Sequence, residues 1–165
     1  MINLTFSQTP AAKGSKTVLS AQQVENNGVK IIVSLPEKIT ASSIPLTLSL
    51  SNQTQSEHIH CGATGYFIDC RIKIRTVDDK PVAYTRLGNG LFGEGYKRYP
   101  RSQYWIPEIA RGRSFHWDHD LRDVFEPLAT GNYLLSLETD IYLSWRKSGA
   151  ETVTLEATDI PFEVQ

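Results

Sequence analysis

Residues 111–137, RGRSFHWDHDLRDVFEPLATGNYLLSL, constrain the fold of this chain more than any other stretch. In 113–120, Phe115 and Trp117 fall on one face at period two, with Ser114, His116 and Asp118 opposite. Leu121, Val124 and Phe125 follow at i, i+3 and i+4, enough for one apolar helical turn and too few for a helix. Ala129-Thr130-Gly131-Asn132 then breaks the chain, and alternation resumes from Tyr133. An incoming strand, a one-turn crossover and a long outgoing strand are what joining two strands across the end of a β-sandwich requires.

The rest of the chain has the same period. Ile2, Leu4 and Phe6 alternate with polar residues as a first strand, 7–16 reads as a connector and 17–24 as a weak strand. Asn26-Asn27-Gly28 is a turn, after which Val29, Ile31, Val33 and Leu35 share a face up to Pro36. Pro45 opens a strand with Leu46, Leu48 and Leu50 on one side, and 51–65 reads as a polar loop. The strongest alternation is 66–77, with Tyr66, Ile68, Cys70, Ile72 and Ile74 inward and Asp69, Arg71, Lys73 and Arg75 outward. Asp78-Asp79 turns the chain, and Pro81 confines a short return strand over 81–85 to an edge or a strand start. Tyr133, Leu135, Leu137, Ile141, Leu143 and Trp145 hold one face, with Thr139 the only polar member. Lys147-Ser148-Gly149 turns back into Val153, Leu155 and Ala157, and 160–164 completes the sheet. About seven to nine short strands with turn signals between them predict an all-β sandwich of the immunoglobulin or fibronectin type III kind, one domain over 1–165. Tyr133 stands where such folds carry a tyrosine corner, so its hydroxyl is expected to bond backbone in the crossover.

With 165 residues, 40% hydrophobic and 21% charged, the chain can hold a core without staples. Its net charge of −1 gives no general attraction to nucleic acid or an anionic membrane. No apolar run approaches the ~20 residues of a membrane helix. MINLTFSQTP lacks the basic and apolar regions of a signal peptide, which leaves an extracytoplasmic location if a leader has been removed and a cytoplasmic one otherwise.

The segments DCRIKIRTVDDKPVAYTRLG and IPEIARGRSFHWDHDLRDVFEPLATGNYLL carry a resemblance over roughly residues 45–140. The Asp78-Asp79 turn, Gly112, Asp120-Leu121, Phe125, Gly131 and Tyr133 resemble the layout of the bacterial Ig-like domain of uncharacterised extracytoplasmic proteins. The chain is loosely similar to bacterial intracellular proteinase inhibitors and to the propeptide-like sandwich of some metalloendopeptidases. The resemblance implies a β-sandwich and, as one version of a binding role, proteinase inhibition. Its motifs are mostly fold positions and say little about function.

Several groups of residues could carry chemistry. His58, His60 and Cys61 form one cluster; His116, Asp118, His119 and Asp120 form a second. An i, i+2 pair on a strand projects to one side, so either could hold zinc, but no four-ligand spacing is present. A thiol enzyme would use Cys61 with the second cluster. Cys70, between Ile68 and Ile72, reads as an inert core thiol, and both cysteines are expected to be reduced, with Cys61 the accessible one. Asn52-Gln53-Thr54 matches the N-glycosylation pattern. Arg71, Lys73 and Arg75 could meet an acidic ligand or be a solvated face paired with neighbouring carboxylates.

Residues 87–107 contain Gly88, Gly90, Gly93 and Gly95 and the rings Phe92, Tyr96, Tyr99, Tyr104 and Trp105. A loop this long and this aromatic is expected to be functional. The leading expectation is a non-enzymatic, cofactor-free binding domain that grips a protein partner through Phe92, Tyr96, Arg98, Tyr99, Arg101, Tyr104 and Trp105, with self-association also allowed. A carbohydrate-binding module stacking sugars on Tyr104 and Trp105 is the first alternative, and a metal-dependent or thiol enzyme is the second.

Overall fold

A computed structural model describes residues 17–61, 63–64, 67–68, 70–93, 108–143 and 151–165. The proposed first strand at 2–6, the rings between 94 and 107, Tyr66, Asp69, Trp145 and the turn at 147–149 lie outside the described residues. The strands are β1 (Leu19–Asn26), β2 (Val29–Pro36), β3 (Lys38–Ile39), β4 (Pro45–Asn52), β5 (His58–Cys61), β6 (Ala63–Thr64), β7 (Phe67–Ile68), β8 (Cys70–Thr76), β9 (Glu108–Ala110), β10 (Ser114–Asp120), β11 (Gly131–Tyr142) and β12 (Thr152–Val164). One helix, α1 (Arg86–Phe92), follows β8. The first sheet runs β1-β2-β4-β10; the second runs β3-β12-β11-β5-β9, with β8 also paired to β11. β6 and β7 form a small hairpin. Among the described residues no helix is long and apolar enough to cross a membrane. The fold is an all-β sandwich.

The period-two faces meet between the sheets. Val29, Ile31, Val33 and Leu35 from β2 and Leu46, Leu48 and Leu50 from β4 are buried against Ile72, Ile74, Leu135, Leu137, Ile141 and Leu155. The β1–β2 turn pairs Asn26 with Val29, leaving Asn27 and Gly28 as a two-residue loop, both at positive φ (50° and 76°). That geometry matches the right-handed twist of the flanking strands and suits Asn-Gly. The crossover caps one end. Leu121–Asp123 is a single 3-10 turn, and Leu121, Val124 and Phe125 are buried, as their spacing requires. The Tyr133 hydroxyl donates to Ala129 O at 2.9 Å, the bond expected of a tyrosine corner.

β12 runs through from Thr152 to Val164 because of a bulge. Leu137 pairs with Ala157 but Leu135 with Ile160, so Ser136 faces both Thr158 and Asp159. Asp159 takes φ 60°. The extra residue moves the inward phase from Val153, Leu155 and Ala157 to Ile160, Phe162 and Val164, and all six are buried.

Over 66–77 the described strands are β7, Phe67–Ile68, and β8, Cys70–Thr76, with Tyr66 and Asp69 outside the described residues. Three expectations are corrected. The return strand at 81–85 is reduced to isolated bridges, Arg75 with Pro81 and Tyr84 with Phe125. The loop at 51–65 holds the end of β4 and all of β5, where Ile59 and Cys61 are buried between alternating His58 and His60. Phe115 and Trp117 face the core, yet they are only half-buried, because among the described strands β10 is the last of its sheet.

Candidate functional site

The root of the aromatic segment is built by short-range capping and one close approach. Arg86–Phe92, with 87–92 expected as loop, is helical although it contains Gly88 and Gly90, both poor helix formers. Thr85 is its N-cap and accepts from Gly88 N at 3.1 Å. Thr85 N donates to Val124 O at 2.9 Å, and Glu126 N donates to Ala83 O at 2.9 Å, so 83–85 is tied to the crossover. A Cβ on Gly88 would lie 2.0 Å from Val124 O; only glycine lets the helix sit that close.

Phe92 is the one member of the expected ring set among the described residues. It is half-buried, with its ring 6.2 Å from that of Tyr84. Tyr84 lies 5.0 Å from the buried Phe125 ring and donates its hydroxyl to Ile72 O at 2.6 Å. Burial, with a smaller contribution from Cys70, holds the Tyr84 hydroxyl above its usual pKa, so it remains a donor. The chain of contacts Phe92–Tyr84–Phe125 fixes the point from which residues 94–107 depart. Tyr96, Arg98, Tyr99, Arg101, Tyr104 and Trp105 lie outside the described residues.

Beside this root is a cleft of about 790 Å³ along β8. Tyr84, Phe92, Pro81 and Val82 give it apolar walls; Arg71, Lys73, Arg75, Asp79, Glu138 and Asp140 give it charge. Arg71 pairs with Glu138 at 3.2 Å, and Arg75 with Asp79 at 3.0 Å and with Asp159 of the bulge at 2.8 Å. The charged face of β8 is thus largely paired with neighbouring carboxylates. Among the described residues, no carboxylate is within ion-pair distance of Lys73, which lies between the two arginines.

Cys61, Asp118 and Asp120 of the two histidine clusters are tied into the fold. Cys61 is fully buried, and burial pushes its thiol up to about 12, against a smaller lowering by a backbone hydrogen bond. His60 Nδ1 is 4.0 Å from Glu108. Asp120 is a structural cap: one carboxylate oxygen accepts from Ile44 N (2.9 Å) and Arg122 N (3.0 Å), the other from the Ser43 hydroxyl (2.9 Å). Partial burial alone would raise its pKa; these donors and Arg122 outweigh it and hold the carboxyl below the usual range. Asp118 accepts from the Thr47 hydroxyl at 2.7 Å. Burial lowers the His119 pKa, against an opposing effect of Asp118. Among the described residues, no three His, Cys, Asp or Glu side chains are gathered where one metal ion could touch them.

Both cysteines are free thiols, and both are buried. The expectation that Cys61 is the accessible one is therefore corrected. A thiolate is the reactive form, and Cys61 does not form one near neutrality. A native thiol titration at pH 7.5 is expected to label neither residue, and titration in denaturant to label both. Rapid native labelling of Cys61 would contradict its placement inside β5.

No family model and no curated protein matches the chain. Among solved structures, the crystal structure of the C-terminal domain of wzt is similar over 92% of this chain and 80% of its own, at 17% identity and a TM-score of 0.46.

Proposed function

We propose that the protein is a non-enzymatic binding domain that takes a peptide segment of a partner protein in the cleft beside β8, with the rings and arginines of residues 94–107 adding contacts. The cleft supports this reading most directly. It joins an apolar wall, Tyr84 and Phe92, to a lysine that the neighbouring carboxylates leave available. Such a surface suits a segment with a carboxylate next to an apolar side chain: the ring contacts supply affinity and the charge supplies orientation and encounter rate. The rings and arginines at 96–105 begin one short step from Phe92 and would form the rest of the grip. Proteinase inhibition is one specific form of this role.

The test uses labelled extended peptides that combine an aromatic residue with Asp or Glu, followed by fluorescence anisotropy, and in parallel a glycan array. Lys73→Glu is expected to weaken peptide binding at least ~10-fold with an unchanged melting temperature. Replacing Tyr96, Tyr99 and Tyr104 together by Ser is expected to abolish binding, again with little change in melting. Peptide affinity indifferent to Lys73→Glu overturns the assignment. A glycan signal lost on Tyr104→Ala or Trp105→Ala, without peptide binding, makes the domain a carbohydrate-binding module instead.

A further inference from the structure

The first sheet has two edges, and the structure treats them differently. β1 is stitched to the second sheet: Asn26 Nδ2 donates to Thr154 O at 3.3 Å, and Thr158 N donates to the Gln22 side chain at 2.8 Å. At the other edge, β10 pairs with β4 over its whole length, and no described strand pairs with its far side. Arg113 O accepts from Asn52 N, and Leu121 N donates to Ile44 O. Odd-numbered residues therefore turn their backbone groups to β4. By alternation, the N–H and C=O groups of Ser114, His116, Asp118 and Asp120 point away from the sheet. All four residues are exposed. Seven residues without proline or bulge form an edge that lacks most of the devices by which natural sheets prevent pairing.

The side chains along this edge are self-complementary. We infer that two copies of the chain associate by antiparallel pairing of β10 with β10 about a two-fold axis at Trp117, the midpoint of the strand. In this register Ser114, His116, Asp118 and Asp120 meet Asp120, Asp118, His116 and Ser114 of the second copy, and their outward backbone groups bond across the edge. His116 then faces Asp118 of the second copy twice, once on each side of the axis. The imidazole has a ring N–H to donate in either protonation state. Asp118 uses one carboxylate oxygen on Thr47 and can accept with the other. On the inner face, Phe115 and Trp117 already pack at 4.2 Å, and both are half-buried. The axis brings Trp117 against Trp117 of the second copy and covers the exposed part of both ring pairs. The association does not involve the cleft at β8, which lies on the second sheet.

Sedimentation equilibrium of the whole chain from about 1 to 100 µM, the range expected for a small strand-edge interface, tests the inference. The mass is expected to rise towards twice the 18.5 kDa of one chain. His116→Pro removes an outward N–H and none directed at β4, a position where proline is tolerated in an edge strand; it is expected to remain a monomer with unchanged melting. His116→Asp, at an exposed position, is expected to weaken association at least ~10-fold by facing Asp118. Trp117→Cys tests the register. Opposed residues of a non-hydrogen-bonded antiparallel pair have Cα atoms about 4.5 Å apart, within disulfide range. This variant is expected to crosslink on mild oxidation, while Leu19→Cys on the opposite edge is not. A wild-type chain that stays monomeric throughout, association unaffected by His116→Asp, or equal crosslinking at both edges overturns the inference. If His116→Pro fails to fold, the remaining measurements decide.

Discussion

Phe125→Ala is expected to destabilise the protein by about 3–5 kcal/mol. The side chain is 1% exposed at the end of the sandwich, among the largest that the core encloses completely. Removing it forfeits the transfer free energy of the ring and leaves a cavity, because its neighbours cannot move in. Leu121 and Val124 are held by the crossover turn, and Tyr84 by its bond to Ile72 O. Urea unfolding followed by tryptophan fluorescence reads the loss. Phe125→Leu is expected to cost about 1–2 kcal/mol, since most of the volume remains. The effect should extend to the cleft. With Phe125 gone, Tyr84 loses its 5.0 Å ring neighbour and α1 loses the base on which Phe92 is set. Hydrogen exchange of α1 amides should therefore rise more in Phe125→Ala than in a variant of similar cost towards the opposite end of the core, such as Ile141→Ala, where β11 pairs with β5. A Phe125→Ala loss below about 1 kcal/mol, the lower end for large-to-small core changes, would show that the crossover does not seal that end.

Asn52→Ala is expected to cost about 2–4 kcal/mol. Asn52 is 0% exposed, and both ends of its amide are used. Its oxygen accepts from Thr54 N at 3.0 Å and the Thr54 hydroxyl at 2.8 Å; its nitrogen donates to Ile109 O at 2.9 Å and Ser56 O at 3.3 Å. Its backbone joins the turn before β10, with Asn52 N donating to Arg113 O and Gly112 N to Asn52 O at 2.7 Å. Alanine leaves donors and acceptors of three residues, Thr54, Ser56 and Ile109, without partners, the costly case for a polar deletion. Asn52→Asp tests the chemistry at constant shape: a carboxylate would face Ile109 O, an acceptor against an acceptor, and bury a charge. At neutral pH it should be at least as destabilising as Asn52→Ala. A protonated Asp can donate to Ile109 O, and burial beside that acceptor raises the folded-state pKa, so stability relative to wild type should recover as pH falls from the raised value towards the ordinary carboxylate range, with the recovery complete below that range. The same burial answers the glycosylation motif. Asn52 is inaccessible in the folded chain, so the intact mass of protein passed through a eukaryotic secretory route should show no glycan there once folded.

Much of the architecture was legible in the order of the residues because its cause is local. Side chains alternate across any strand, so Val29, Ile31, Val33 and Leu35, or Leu46, Leu48 and Leu50, could occupy only one face. Asn27-Gly28 takes positive φ at both positions whatever surrounds it. Leu121, Val124 and Phe125 meet the core through one turn because their spacing matches one turn. Tyr133 two residues after Gly131 could reach back only to the crossover, and it does. The candidate surface was legible only at its root. Phe92 lines the cleft, while its two partners there, Tyr84 and Lys73, lay in stretches that read as a return strand and a solvated face.

What only the tertiary structure decided depends on which distant segment arrives as neighbour. His58-Ile59-His60-Cys61 carries a four-residue alternation inside a polar stretch; Ile59 and Cys61 are buried because β9 and β11 flank β5. Asn52 reads as an exposed sequon until Thr54, Ser56 and Ile109 close around it. Arg86–Phe92 has weak helical propensity and is helical because Thr85 caps it and the Val124 carbonyl leaves room only for Gly88. The bulge at 158–159 joins two short alternations of opposite phase into one strand, a matter of pairing with β11. Phe115 and Trp117 have the periodicity of core residues and are half-exposed because β10 comes last among the described strands of its sheet. Periodicity is a property of a segment's own backbone and is written in its residues; burial, capping and edge position are properties of pairs of segments far apart in the chain, and they exist only once the chain has closed on itself.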